Sequence, residues 1–266
     1  MSAASELAVL PDAHRLADAA AHRFVSAANA AIQARGEFTV ALSGGSTPRQ
    51  VYARLATEPF VSGLDWSRVH ILWGDERCVP PEHESSNYRM ARETLLDHVP
   101  VPGANIHRIR GEDDPAEAAA TYERVLRTVL RTPSGPPRTD AAFRLDLVLL
   151  GLGEDGHTAS LFPGAGSLRA TAEWVAAEYV HEVSMWRVTL TATVINAAAE
   201  VAFIVSGERK AAIVRKVLDG PYSPHELPAQ LIAPTAGRRV WLLDAPAAAE
   251  LQHTSRQVGR GSGRAP

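Results

Sequence analysis

The stretch that most constrains this chain is residues 145–164, LDLVLLGLGEDGHTASLFPG. Residues 145–150 are apolar except for Asp146. A run without polar alternation marks a strand buried on both faces, as in parallel sheets covered by helices on each side. Gly151, Gly153 and Gly156 then punctuate a tight loop carrying Glu154, Asp155 and His157. Residues 158–161 read as the start of a short helix, stopped by Pro163 and Gly164. The ionisable groups are therefore expected just past the carboxyl end of a central strand, where open α/β sheets bind ligands. A lone loop histidine is ordinarily a capping or packing residue. Here an acid two positions earlier, and three glycines that admit a ligand close to the backbone, favour a functional one.

The flanking segments supply the rest of such a sheet. Residues 12–35 place Leu16, Ala20, Phe24, Ala27 and Ala31 at helical spacing, and Gly36 closes the helix. Residues 38–42 read as a strand running into Ser43-Gly44-Gly45-Ser46-Thr47-Pro48 and a further helix. Pro48 suits a first helical turn, and Ser46 or Thr47 can cap it. Backbone N–H groups at that helix start favour an anion, although the GxxxxGK[ST] spacing of a P-loop is absent. Residues 69–73, VHILW, form the next strand and deliver Asp75, Glu76 and Arg77 in a loop. Arg77 can hold a phosphate bidentately. Cys78 reads as a packing residue.

Helices are expected over 86–98, capped by Ser85 or Ser86, and over 112–131, followed by a Pro-rich surface loop at 132–139. Residues 174–179 read as an edge strand, 187–191 as a half-buried strand and 193–199 as a short helix. The strand 200–205 ends in Ser206-Gly207-Glu208-Arg209-Lys210 and opens another helix, which repeats the device at Ser43. A lysine in a first turn opposes the helix dipole, and a shared anion would remove the conflict at Lys210. A turn of helix at 227–232, a last strand at 239–243 and a final helix at 245–252 complete the reading. The expectation is a doubly wound, mostly parallel α/β sheet with helices on both faces. One domain is expected over 1–252, with a disordered tail over 253–266.

Composition removes several function classes. The net charge is −3 and no dense basic stripe occurs, which argues against a nucleic-acid partner. The single cysteine, Cys78, excludes an internal disulfide and fits the reducing cytoplasm. No signal peptide or membrane span is expected. Neither HExxH nor a Cys/His ligand cluster occurs, so metal catalysis lacks support. The G-x-S-x-G elbow of a serine nucleophile is also missing.

Four stations together resemble the 6-phosphogluconolactonase family, within the glucosamine-6-phosphate isomerase/6-phosphogluconolactonase superfamily. They are SGGSTP at Ser43, GDERCVP at Gly74, GLGEDGHTASLFPG at Gly151 and RVTLT…IN…SGERKA from Arg187. They follow the family's order, and the resemblance covers roughly residues 12–252. DGHTASLFP is the most specific of them and SGGSTP the least. The resemblance implies a Rossmann-like α/β enzyme that hydrolyses 6-phospho-D-glucono-1,5-lactone to 6-phosphogluconate. Its partner would be that sugar-phosphate lactone, with no metal, nucleotide or other cofactor required; a monomer or small homo-oligomer is expected. The related deaminase/isomerases carry DEY where this chain has Asp75-Glu76-Arg77, and I-x-F-N-E-P after DGH, where this chain has TASLFP.

Chemistry then assigns expected roles. A δ-lactone is an activated ester, so hydrolysis needs a positioned water and a base. His157 has the pKa range for that base, and Asp155 could hold its tautomer or line the site. The phosphate would rest on Ser43, Gly44, Gly45 and Ser46, with charge from Arg77 and Lys210. Arg187 is a further candidate that could instead merely cover a strand end, and Asp75 is placed among the substrate contacts. Two alternatives remain at this level. One is a deaminase/isomerase-like enzyme. The other is a non-catalytic sugar-phosphate sensor, for whose usual DNA-binding module one helix before Phe38 leaves little room.

Overall fold

The computed structural model describes residues 5–131 and 144–252; the expected loop at 132–139 and tail at 253–266 lie outside them. A six-stranded parallel sheet forms the centre. Its strands are β1 (Ser5–Leu10), β2 (Phe38–Leu42), β3 (Val69–Trp73), β5 (Leu147–Leu150), β8 (Glu200–Val205) and β9 (Arg238–Asp244), in the order β1-β9-β8-β5-β2-β3. Every residue of β2, β5 and β8 is buried, so both faces of the central sheet are covered. The covering helices include α1 (Ala13–Arg35), α2 (Ser46–Leu55), α4 (Pro115–Arg131) and α6 (Ala211–Asp219). Leu16, Phe24 and Ala28 of α1 join Phe38, Trp66 and Trp241 in one continuous core. Asp12 caps α1 by accepting from Arg15 N at 2.8 Å, and Gly36 ends it in the left-handed region.

From β2 the chain moves outward to β3 on one side, and from β5 it moves outward to β8 on the other. The switch point of the sheet thus lies between β2 and β5. Pairing there stops at Ala41 and Val148, whereas β5 stays paired to β8 as far as Leu150 and Phe203. A crevice therefore opens at the carboxyl edge between β2 and β5.

A second, antiparallel sheet was not anticipated. It joins β4 (Asp75–Arg77), β7 (Met185–Leu190) and β6 (Val175–Val180) in the order β4-β7-β6. Asp75-Glu76-Arg77 reads as a charged loop, but pairing with β7 draws it into a strand. The N-terminal strand β1 was also missed. It is held by Arg23 of α1, which reaches Glu6 at 2.9 Å and the buried Glu200 at 2.5 Å.

Three expected helices are altered. Residues 158–161 form a turn with Ala159 at φ 49°, because Thr158 Oγ1 donates to the Gly151 carbonyl and Ser160 Oγ to Asp75. Residues 245–250 form turns only, since the Asp244 carboxylate accepts from Ala247 N and closes the chain on itself. The helix expected over 86–98 is α3 (Asn87–Thr94), followed by a separate 3-10 turn at Leu96–His98.

At the edge of the sheet, His70 Nδ1 and His107 Nε2 lie 3.2 Å apart. One ring must be neutral to accept the other's proton. Burial, then the neighbouring His70, pushes His107 down to about 4. The native state thus keeps the ring neutral where an unfolded histidine, near 6.5, takes up a proton. Stability should fall as pH drops from 6.5 toward 4, and His107→Gln should remove much of that slope. Urea midpoints of both proteins across this range measure it, and parallel curves would refute it.

Candidate active site

The carboxyl ends of four strands converge on one cleft of about 290 Å³. Ser43, Gly44, Gly45 and Ser46 follow β2; Asp75 and Arg77 lie on β4; His157 follows β5; Lys210 follows β8; and Arg187 lies on β7. All of these line the cleft, so every sequence candidate except Asp155 meets there. Asp155 stands behind His157 instead.

The loop after β5 fixes the imidazole. Gly153 N donates to the His157 carbonyl at 2.8 Å, and Gly156, at φ 89°, turns the chain. Asp155 Oδ1 lies 2.6 Å from His157 Nδ1 and also accepts from His157 N at 3.1 Å. Burial works to raise the Asp155 pKa, but the side-chain bond to His157, the charge of that ring and the backbone N–H donors together outweigh this and hold the carboxyl below its usual range. An ionised carboxylate only accepts, so Nδ1 carries the shared proton, and it is the neutral form of the ring that offers a lone pair at Nε2. Phe162 stacks on the ring at 4.1 Å between centroids and fixes its plane.

Cations gather on the other wall. In the β4–β7 ladder Arg77 stands opposite Arg187, and Asp75 opposite Thr189. Opposed residues share a face and strands alternate, so these four side chains lie on one face and Glu76 on the other. The two guanidinium groups are like charges placed directly across from each other. Burial, then Arg77, pulls Arg187 below its usual pKa, while Asp75 and Glu76 oppose this. Arg77 donates to the Ser85 carbonyl at 2.5 Å. Among the described residues, Nε of Arg77 and Nε of Arg187 are buried without a partner. Lys210 ends a 3-10 turn, Glu208–Lys210, just ahead of α6 rather than sitting within its first turn. Half-burial lowers its pKa, and Glu154 opposes the shift. The helix dipole, the two arginines and the lysine all ask for an anion.

The helix after Ser43 begins differently from the expectation. Its cap position is Gly45, at φ 105°, and no side chain caps it. Neither Ser46 nor Thr47 satisfies the first N–H groups, which leaves them to the cleft.

Two cleft residues escaped the sequence reading. Asn87 is buried at the start of α3, donating to the Asp75 carbonyl at 2.9 Å, and its side chain fills the space a Cβ on Gly44 would need. The signal available was an asparagine directly after a serine cap. Phe162 was visible only as an aromatic five positions after His157. Glu76 holds this wall rigid: its carboxylate accepts from Arg77 N, Asn87 N and Tyr88 N, and from Ser86 Oγ. Among the described residues, no group of three or more His, Cys, Asp and Glu is placed to hold a metal ion.

A parallel α/β sheet with an imidazole–carboxylate pair facing a cationic wall defines an enzyme acting on an anionic small molecule. Residues 11–241 match the family described as glucosamine-6-phosphate isomerases/6-phosphogluconolactonase, and the chain belongs to that family. A 6-phosphogluconolactonase of Nostoc sp. is 40% identical over 244 residues, covering 91% of this chain and 97% of the relative. The structure of 6-phosphogluconolactonase from Trypanosoma brucei superposes with a TM-score of 0.80 at 29% identity, covering 94% of this chain and all of the other. A monomeric glucosamine-6-phosphate deaminase also superposes, with a TM-score of 0.74 at 20% identity over 92% of this chain and 99% of the other. At that identity the likeness establishes the fold alone.

A Cβ on Gly153 would overlap the His157 ring and the Asp155 carboxylate. Gly153→Ala should therefore break the Nδ1–carboxylate bond while the protein stays folded. Proton NMR checks this: the hydrogen-bonded Nδ1 proton of His157 should be seen in the parent and lost in the variant.

Proposed function

We propose that the chain hydrolyses 6-phospho-D-glucono-1,5-lactone to 6-phosphogluconate, the lactone-opening step of the oxidative pentose phosphate pathway, with His157 as general base. The observation that carries this is the 2.6 Å His157–Asp155 pair on a cleft whose other wall holds Arg77, Arg187 and Lys210. The phosphate occupies the cationic wall and the Ser43–Ser46 loop, which brings the lactone carbonyl toward His157. Nε2 takes a proton from water as the water oxygen adds to C1. The tetrahedral oxyanion collapses, the bond from C1 to the ring oxygen breaks, and the imidazolium returns the proton to that oxygen. Asp155 keeps Nδ1 protonated and stabilises the transient imidazolium, without leaving its own ionised state.

The lactonase relatives at 40% identity support this reading over amino-sugar deamination. So does Arg77, which adds positive charge at a position where a neutral tyrosine marks the other branch. A small-molecule substrate and a cytoplasmic site of action belong to the same reading. Among the described residues no helix is long and apolar enough to cross a membrane.

Fresh 6-phosphogluconolactone, followed by proton release above its spontaneous rate, tests the activity directly. Release of ammonia from glucosamine 6-phosphate, with the lactone left untouched, would refute it. His157→Asn, which keeps size and polarity without the base, should lower kcat about 10²–10⁴-fold with a much smaller change in KM. Near-normal turnover at pH 7 would remove His157 from the mechanism. Arg77→Ala and Lys210→Ala should erode the preference for the phosphorylated over the unphosphorylated lactone, by roughly 2–5 kcal/mol where water stays out of the gap. Equal slowing of both substrates would exclude a phosphate-anchoring role.

A further inference from the structure

Strand residues send their N–H and C=O to the same side, alternately left and right. In β2, Leu42 faces β3, since its carbonyl accepts from Gly74 N at 2.8 Å. Thr39 faces β5, where its carbonyl accepts from Asp146 N at 3.0 Å. By alternation Ser43 also faces β5, but the two strands have already parted there. Its N–H and C=O would be left buried without a strand to pair with, a costly state for backbone groups. Tyr52 of α2 resolves this: its hydroxyl accepts from Ser43 N at 2.9 Å and donates to Ser43 O at 2.8 Å. One phenol stands in for a missing strand.

The same device recurs one strand away. Trp73 ends the edge strand β3 and faces outward, where no strand lies. The Tyr122 hydroxyl accepts from Trp73 N at 2.7 Å and donates to Trp73 O at 3.0 Å. The two clamps lead into unlike surroundings. The segment after Trp73 is held again by the β4–β7 ladder and by Glu76. Among the described residues the segment after Ser43 has no second ladder. Among its described contacts are Ser43 Oγ to the Gly44 carbonyl and Arg49 N to the Gly45 carbonyl, both within the loop and its own helix.

We propose that Tyr52 is a positioning residue for substrate phosphate: its clamp on Ser43 holds the parted end of β2, so that the Ser43–Ser46 loop meets the anion already in place. Tyr52 does not line the cleft, and it acts only through Ser43. The inference rests on the lactonase reading and deepens it by giving the phosphate site its structural foundation.

Tyr52→Phe removes one oxygen and leaves the ring packed. KM for 6-phosphogluconolactone should rise roughly tenfold with kcat within about threefold, because the loop is displaced and the base is not. kcat/KM for unphosphorylated gluconolactone should stay within about twofold, and the inhibition constant of inorganic phosphate should rise in step with KM. Tyr122→Phe loses the same pair of hydrogen bonds and controls for general loosening. It should lower Tm comparably while leaving discrimination between the two lactones intact. If the wild type prefers the phosphorylated lactone and Tyr52→Phe keeps that preference, or slows both lactones equally, the inference is overturned and the lactonase reading stands. If the wild type shows no such preference, the phosphate-site reading fails and takes the inference with it. Should Tyr52→Phe not fold, amide exchange in the wild type decides. Inorganic phosphate should slow the Ser43 amide together with those of residues 44–46. Slowing of 44–46 without Ser43 would separate clamp from loop and overturn the proposal.

Discussion

Beyond Ala41 the sheet parts, and everything the cleft does depends on satisfying the backbone where it parts. A parallel sheet is stable because each interior strand pairs on both sides. A crevice at the switch point breaks that rule on the inner side of β2, where Ser43 would face β5 across open space. Buried amides cannot be left there without a partner. The fold solves this with side chains: Tyr52 at Ser43, and the Asp146 carboxylate lower down, which accepts from Thr39 N at 2.9 Å. The opening is thus framed by hydrogen bonds that do not depend on a ligand, and the loops around it can be short and glycine-rich.

The two walls of the cleft are built on opposite principles. Around His157 the loop supplies its own partners: Asp155 on Nδ1, Gly153 on the backbone, Thr158 on Gly151, Phe162 on the ring face. The opposite wall places Arg77 across from Arg187 with both Nε atoms unpartnered among the described residues. Like charges opposed across a ladder destabilise it, and Glu76 and Asn87 tie the β4 side of that ladder to the start of α3. A preorganised cationic wall binds a dianion without reorganising, which is how fixed dipoles and charges outperform water at a reacting centre.

Much of this was legible in the chain itself, and the misses share one cause. Strands at 38–42, 69–73 and 200–205 could be read to the residue because largely apolar runs closed by Gly or Ser-Gly leave few alternatives. Most cleft candidates follow from those strands and from β5, since they stand just past a carboxyl end; Arg187, within β7, does not. What could not be read depends on partners distant in sequence. Asp75-Glu76-Arg77 has a loop's composition and becomes a strand only because β7 arrives more than a hundred residues later. Residues 158–161 have helical composition, yet Ser160 is claimed by Asp75 and Thr158 by Gly151. SELAVL is too short and too exposed to announce β1, whose place is set by Arg23 reaching Glu6 and Glu200 together. Local pattern gives way wherever a buried charge or hydroxyl finds a better partner elsewhere.

The fold itself does not choose the reaction, because the same sheet and the same crevice can serve hydrolysis or amino-sugar chemistry. The choice sits in a few side chains whose surroundings differ. An aldose–ketose conversion needs acids and bases spaced to pass a proton between carbons. Here the segment after His157 supplies Thr158, Ser160 and Phe162, which hold the loop and the ring and titrate nowhere near neutral pH. Asp75, the nearest acid on the facing strand, is tied to Ser160 at 2.6 Å and to Asn87 through its own backbone carbonyl. It is engaged in joining the two walls. On the proposed reading, one oriented imidazole facing a wall of cations activates a water against an ester already prone to open, a reaction that asks for no second station to relay a proton between carbons.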